Sequence, residues 1–208
     1  DLCHGLLCLY AATFQPRWLA AARSLAERML ELFHDPQAGG FYYAPADGEE
    51  VLARTRDLED HPTPSGNSQA AHVLLRLADL TGDPSLEEPA AGALRLVRAE
   101  MARFPQAFGT ALVTLDHLLG ERREVAVVGP PDDPGTRRLI EAARSLAGPA
   151  DALAAGDPDD AGAVAAAPLL AERPLVEGRP AAYVCRRFTC AAPVTEPEEL
   201  AEVMAVAG

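Results

Sequence analysis

The chain has 208 residues, 49% of them hydrophobic and 24% charged, a balance that can bury a sizeable core and that excludes a disordered polar chain. Its 31 acidic residues against 18 basic ones leave a formal charge of -13. Nucleic acid and anionic membrane are thereby set aside as partners, since both repel such a surface; neutral or cationic partners fit it.

No stretch approaches the roughly 18 consecutive apolar residues of a membrane span, and the start lacks a basic region leading into an apolar run. The sequence therefore reads as cytoplasmic. It opens at Asp1 without an initiator Met or a capping sequence and is already in helical period, with Leu2, Leu6, Leu9 and Tyr10 on one side, so it reads as a piece of a longer protein. Pro16 can begin a second helix, where its missing N–H costs nothing. Trp18, Ala22, Leu25, Met29, Leu32 and Phe33 give that helix an apolar face. The glycines and aromatics of 35–49 then predict a small hairpin or an ordered loop, with helix resuming near Ser65 and running to about Leu80.

The next segment repeats the plan of the first. Leu9, Thr13 and Pro16 correspond to Leu77, Thr81 and Pro84, with an offset of 68 residues throughout. Helix, Thr-x-x-Pro turn and second amphipathic helix make a hairpin unit, and such units bury their faces by stacking. A further helix, Gln106 to Leu119, would begin a third unit, with Phe108, Ala111, Leu112, Leu115 and Leu119 on one face. The pattern then changes. Residues 123–129 read as a strand, 133–147 as a helix, 150–167 as an Ala/Gly/Asp-rich separator, 178–188 as a second strand and 195–205 as a closing helix. The predicted architecture is mainly α: helical hairpins over 1–120 and a small α/β segment over 121–208.

Asn67 is the single asparagine of a chain that contains no lysine and draws its basic residues from arginine alone. In "DLEDHPTPSGNS", Pro64 disfavours helix at Thr63, Ser65 can cap the helix that follows, and Gly66 leaves room for a ligand to approach. Asn67 and Ser68 then fall in the first turn. An amide offers donors and an acceptor together, which suits a hydroxyl-rich molecule such as a sugar; the same residues also suit a plain helix cap. Asp57, Glu59, Asp60 and His61 lie just before this turn and could move protons if burial tunes them. The "VVGPPDDPGT" stretch has the order strand, glycine loop, helix, but its aspartates and the absence of lysine argue against a phosphate cradle. Cys3, Cys8, Cys185 and Cys190 form two x4 pairs, the wrong spacing for zinc or a thioredoxin motif, and ordinary reduced thiols are the default for such a chain. No metal or cofactor is implied.

The segments "DLEDHPTPSGNSQAAHVLLRLADLTGD" and "GRPAAYVCRRFTCAAPVTEPEEL" resemble the C-terminal part of the thioredoxin-domain-containing family related to spermatogenesis-associated protein twenty. The resemblance extends along essentially the whole chain. It implies a partial (α/α) toroid of six-hairpin glycosidase-like type, akin to the N-acylglucosamine 2-epimerases. It places Asp60, Pro64, Ser65, Gly66, Asn67 and Ser68 at the toroid mouth, and Tyr183, Cys185 and Cys190 in a C-terminal segment. The absent partners it implies are the N-terminal half of the toroid and a thioredoxin-like domain. Two expectations follow. In one, the chain belongs to a sugar epimerase or isomerase, with Asp60 and His61 in proton transfer and Ser65, Gly66, Asn67 and Ser68 binding a sugar. In the other it is a non-catalytic scaffold in redox or protein quality control, with Cys185 and Cys190 exchanging with the thioredoxin-like domain.

Overall fold

Two threonine-terminated helices, each followed by a proline start, set the pattern of the chain. In the computed structural model, which describes residues 1–48, 53–186 and 189–206, helices α1 (Leu2–Thr13) and α2 (Pro16–Phe33) precede α3 (Gly66–Thr81), the 3-10 turn Pro84–Leu86 and α4 (Glu87–Arg103). The 68-residue offset holds in the backbone. Phe14 and Gly82, equivalent positions directly after α1 and α3, both take positive φ, 51° and 69°. A left-handed residue commonly closes a helix, glycine at no steric cost and a side-chain-bearing residue at about 1 kcal/mol. Thr13 Oγ1 donates to Leu9 O at 2.7 Å and accepts from Gln15 N at 3.3 Å. Equivalent core positions agree as well: Leu7 with Leu75, Tyr10 with Ala78, Ala22 with Ala90, and Ala26 with Leu94 are all buried.

The residues form two compact units, one of 1–7, 21–78 and 83–119, the other of 8–20, 79–82 and 120–208. In the first unit, α5 (Gly109–Leu119) follows the 3-10 turn Pro105–Ala107. Its buried row is Phe108, Ala111, Thr114 and His117, whereas Leu112 and Leu119 are exposed. The leucine-rich face expected from sequence is therefore rotated outward. Thr114 can lie inside because its hydroxyl donates to Thr110 O at 2.8 Å, which satisfies the polar atom within its own helix.

The second unit is built on a four-stranded sheet of order β2-β1-β3-β4, from β1 (Glu124–Val128), β2 (Ala152–Gly156), β3 (Ala181–Arg186) and β4 (Thr189–Cys190). Strand β1 pairs parallel with β2 and antiparallel with β3, and β3 pairs antiparallel with β4. Helix α6 (Pro134–Leu146) crosses from β1 to β2, and α7 (Ala161–Ala166) and α8 (Pro197–Val206) follow β2 and β4. Period-2 alternation splits the sheet. Val125, Val127, Ala155, Ala182 and Val184 pack with Leu139 and Ala143 of α6 and with Leu200 and Met204 of α8. The strand β2 lies inside 150–167, a stretch that reads as a separator in sequence, and this is a correction. "ALAAG" has little β propensity; parallel pairing and burial hold it instead. Among the described residues no helix is long and apolar enough to cross a membrane.

Candidate functional site

The turn before α3 is held by side chains that bond backbone. Asp60 Oδ1 accepts from Ser65 N at 2.9 Å and its Oδ2 accepts from Thr110 N at 2.7 Å, tying the start of α3 to the start of α5. Ser65 caps α3: its Oγ accepts from Ser68 N at 3.1 Å and donates to Ser68 Oγ at 2.9 Å. Asn67, almost wholly buried, reaches across to the 34–44 loop. Its Oδ1 accepts from Phe41 N at 2.7 Å, and its Nδ2 donates to Phe41 O at 2.9 Å and Asp57 O at 2.8 Å. The amide thus completes a two-way pair with Phe41, as a neighbouring strand would. Gly66 is exposed, with open space where a side chain would project, and its N–H donates to Asp57 Oδ2 at 3.3 Å.

Asp60 and His61 line a cleft of about 510 Å³ in the first unit, together with Gln69, His72, Gln106 and Thr110. Of the predicted substrate-binding residues, Ser65, Asn67 and Ser68 lie buried behind this cleft rather than on its wall. Three histidines form a row there, with ring centroids 5.3 Å apart for His4 and His72 and 6.5 Å for His72 and His117. Burial, reinforced by the neighbouring His4, Arg76 and His117, lowers His72 to a pKa of about 4, so at neutral pH it is an uncharged imidazole whose buried Nδ1 has no hydrogen-bond partner. The 68-residue offset of the helical repeat maps His4 onto His72. Among the described residues, no group of three or more His, Cys, Asp or Glu side chains is placed to hold a metal ion.

The second unit carries the other predicted pair. Antiparallel register sets Cys185 of β3 opposite Cys190 of β4, and the two are joined in a disulfide. The default of four reduced thiols therefore does not hold; Cys3 and Cys8 are in no disulfide. Cys185 is buried and Cys190 partly exposed. Arg173 lies against the bridge, its Nη2 3.4 Å from Cys185 Sγ and 3.2 Å from Cys190 Sγ, while its Nη1 donates to Ala171 O at 2.9 Å. Arg173 is itself 8% exposed, and its Nε has no hydrogen-bond partner. Tyr183 Oη donates to Pro174 O at 2.7 Å, which holds the segment bearing Arg173 against β3.

No family model matches the sequence. Over 202 residues, 96% of the chain, it is 30% identical to spermatogenesis-associated protein 20 of Mus musculus, and equally to the proteins of that name in Rattus norvegicus and Homo sapiens. Each match covers 26% of the relative. The chain is thus homologous to these proteins and spans about a quarter of their length.

Proposed function

We propose that the chain is the C-terminal section of a thioredoxin-domain-containing toroid protein, and that it works as a scaffold in redox or protein quality control. One observation carries this reading: the Cys185–Cys190 disulfide with an arginine against both sulfurs. A thiolate of the thioredoxin-like partner attacks Cys190 Sγ, the more accessible sulfur, forming a mixed disulfide and releasing Cys185 as a thiolate. The guanidinium of Arg173 stabilises that leaving charge. The partner's second thiol then attacks its own sulfur in the mixed disulfide and releases Cys190. Two electrons and two protons pass to the cysteine pair, and the partner's dithiol becomes a disulfide. The test is thiol trapping of the 208-residue chain after mixing with reduced thioredoxin. Prompt labelling of Cys185 and Cys190, slowed about tenfold or more in Arg173→Met, supports the mechanism. A disulfide that resists reduced thioredoxin, or an equal rate in the variant, overturns it.

A second reading is favoured by the cleft that holds Asp60 and His61 beside the uncharged His72. In it the helical hairpins belong to a six-hairpin glycosidase-like toroid, and the cleft takes part in sugar epimerisation or isomerisation in carbohydrate metabolism. Its test is deuterium exchange at C2 of aldoses and N-acyl hexosamines in heavy water, in protein with the upstream part of the toroid restored. Exchange abolished by His61→Gln supports this reading, and no exchange with any sugar removes it.

A further inference from the structure

A cleft of about 900 Å³ opens in the second unit, at the ends of β1 and β2 and the start of α6. In α/β sheets, ligands characteristically sit outside the carboxyl ends of parallel strands. Ala12, Phe14, Pro131, Ile140, Ala155 and Ala163 give it mostly apolar walls, and Gly129 and Gly156 extend the two strands into it. Gly129 lies tight against Thr136: a Cβ there would be 2.3 Å from Thr136 Oγ1, so only glycine fits at that end of β1. Thr136 is 1% exposed, lines the cleft, and its Oγ1 has no hydrogen-bond partner. A buried orphan hydroxyl is an uncommon feature that a ligand group can satisfy.

The charged groups decide what that ligand is. An anion finds its usual donors partly engaged, and the carboxylates lining the cleft outnumber the guanidiniums. The first amides of α6, Gly135 N and Thr136 N, donate to Asp133 Oδ1 at 2.6 and 3.2 Å. Arg144 donates to Ala11 O and Ala12 O at 2.8 and 2.9 Å and stacks over Phe14. Arg137 is bonded to Pro131 O at 3.3 Å and to Asp132 at 3.1 Å. The rim's carboxylates are Glu141, Asp157 and Asp160. Asp157 and Asp160 use Oδ1 for nearby backbone amides, at 3.0 Å from Asp159 N and at 2.8 and 3.2 Å from Gly162 N and Ala163 N, and a carboxylate so engaged keeps acceptor capacity on its other oxygen.

We propose that this cleft binds a small alkyl amino alcohol, with its ammonium among the carboxylates of Glu141, Asp157 and Asp160, its chain on the apolar walls and its hydroxyl at Thr136 Oγ1. The site stands apart from the disulfide and requires no redox step. Ile140, the single isoleucine of the chain, lies on its wall and gives one resolvable methyl reporter. The experiment is a methyl NMR titration of the 208-residue chain with 5-aminopentan-1-ol, pentylamine and 5-hydroxypentanoate. The expected result is a saturable shift of the Ile140 methyl signal with the amino alcohol, at an affinity about fivefold or more above that of the hydroxy acid. Thr136→Val should weaken the amino alcohol severalfold while leaving pentylamine unchanged, and Glu141→Gln or Asp157→Asn should weaken both amines. These two carboxylate variants alter exposed or half-buried side chains, so they keep the test open if Thr136→Val disturbs folding. No saturable shift with 5-aminopentan-1-ol, or a hydroxy acid that binds as well, overturns the proposal.

Discussion

Asn67 joins three backbone groups of two separate segments through one amide, and its replacement tests how much of the first unit depends on that clamp. Asn67→Ala strands Phe41 N, Phe41 O and Asp57 O, which it now satisfies. A buried group left unpaired costs about 1 to 3 kcal/mol; with partial access of water, a loss of about 3 kcal/mol is expected in urea unfolding, and a change below about 1 would show the clamp to be dispensable. Gly40→Ala should act on the same contact from the other side. Its φ is +74°, and a Cβ would lie 2.3 Å from Leu96 Cδ1 and 2.8 Å from Asn67 Oδ1, so a comparable loss is expected; the double variant should lose less than the sum of the two, because the contact with Asn67 is shared while the backbone strain and the Leu96 clash are not. The special status of Asn67 was legible as a compositional exception. Its target was not, because Phe41 lies 26 residues earlier in a loop whose course no local pattern dictates.

Strand β2 owes its place to contacts remote in sequence rather than to its own residues. Asp151, at its entry, receives Arg123 Nε and Nη2 at 3.0 and 2.6 Å, and Arg123 Nη1 donates to Met204 O at 2.7 Å. One guanidinium thus anchors the starts of β1 and β2 and the end of α8. Removing one member of a buried pair strands the other charge. Arg123→Met should therefore cost about 3 to 5 kcal/mol, read as a lowered denaturant midpoint with the slope unchanged; a loss under about 1 kcal/mol would assign the strand's stability to its apolar packing alone. The other elements were legible from local chemistry. Val-rich β1, the Asp133-capped α6 and the acidic first turn of α8 each announce themselves. An alanine run flanked by glycine and aspartate carries no such signal, and a strand buried by its neighbours need not alternate. The rotated face of α5 was illegible for a related reason: Phe108, Ala111, Thr114 and His117 are its inward row, and neither Thr114 nor His117 looks apolar. The helical repeat was the most legible feature, since the offset that aligns Thr13 with Thr81 also aligns His4 with His72.

At the scale of the whole molecule, the shifted groups set the pH range of greatest stability. His72 falls from 6.5 to about 4 on folding, chiefly through burial, so the unfolded chain binds more protons between these values. Its neutral form therefore favours folding fully above pH 6.5, and that preference is lost progressively as pH falls toward 4. Asp35 falls from 3.8 to about 2, held ionised first by the hydroxyl of Tyr42 and then by the amides of Ala38 and Gln37, and its contribution disappears between those two values. On the alkaline side, burial raises Cys3 from 9.0 to about 11 and pushes the Tyr10 phenol above its usual 10.0. Folding then loses ground as the unfolded thiol and phenol ionise above pH 9. A plateau from about pH 6.5 to 9 is expected, with an acid limb that begins in the range of histidine rather than of carboxylates. Urea midpoints measured from pH 2 to 10 check the shape, and His72→Leu checks the assignment. The leucine variant should show a shallower decline between pH 6.5 and 4, the remainder coming from His4 and His34, which burial also lowers, while keeping the steeper fall below 4, where Asp35 and the other carboxylates protonate. An unchanged decline in that variant would place the acid sensitivity in other groups, His4 and His34 first among them, whose imidazoles burial also holds below their usual range.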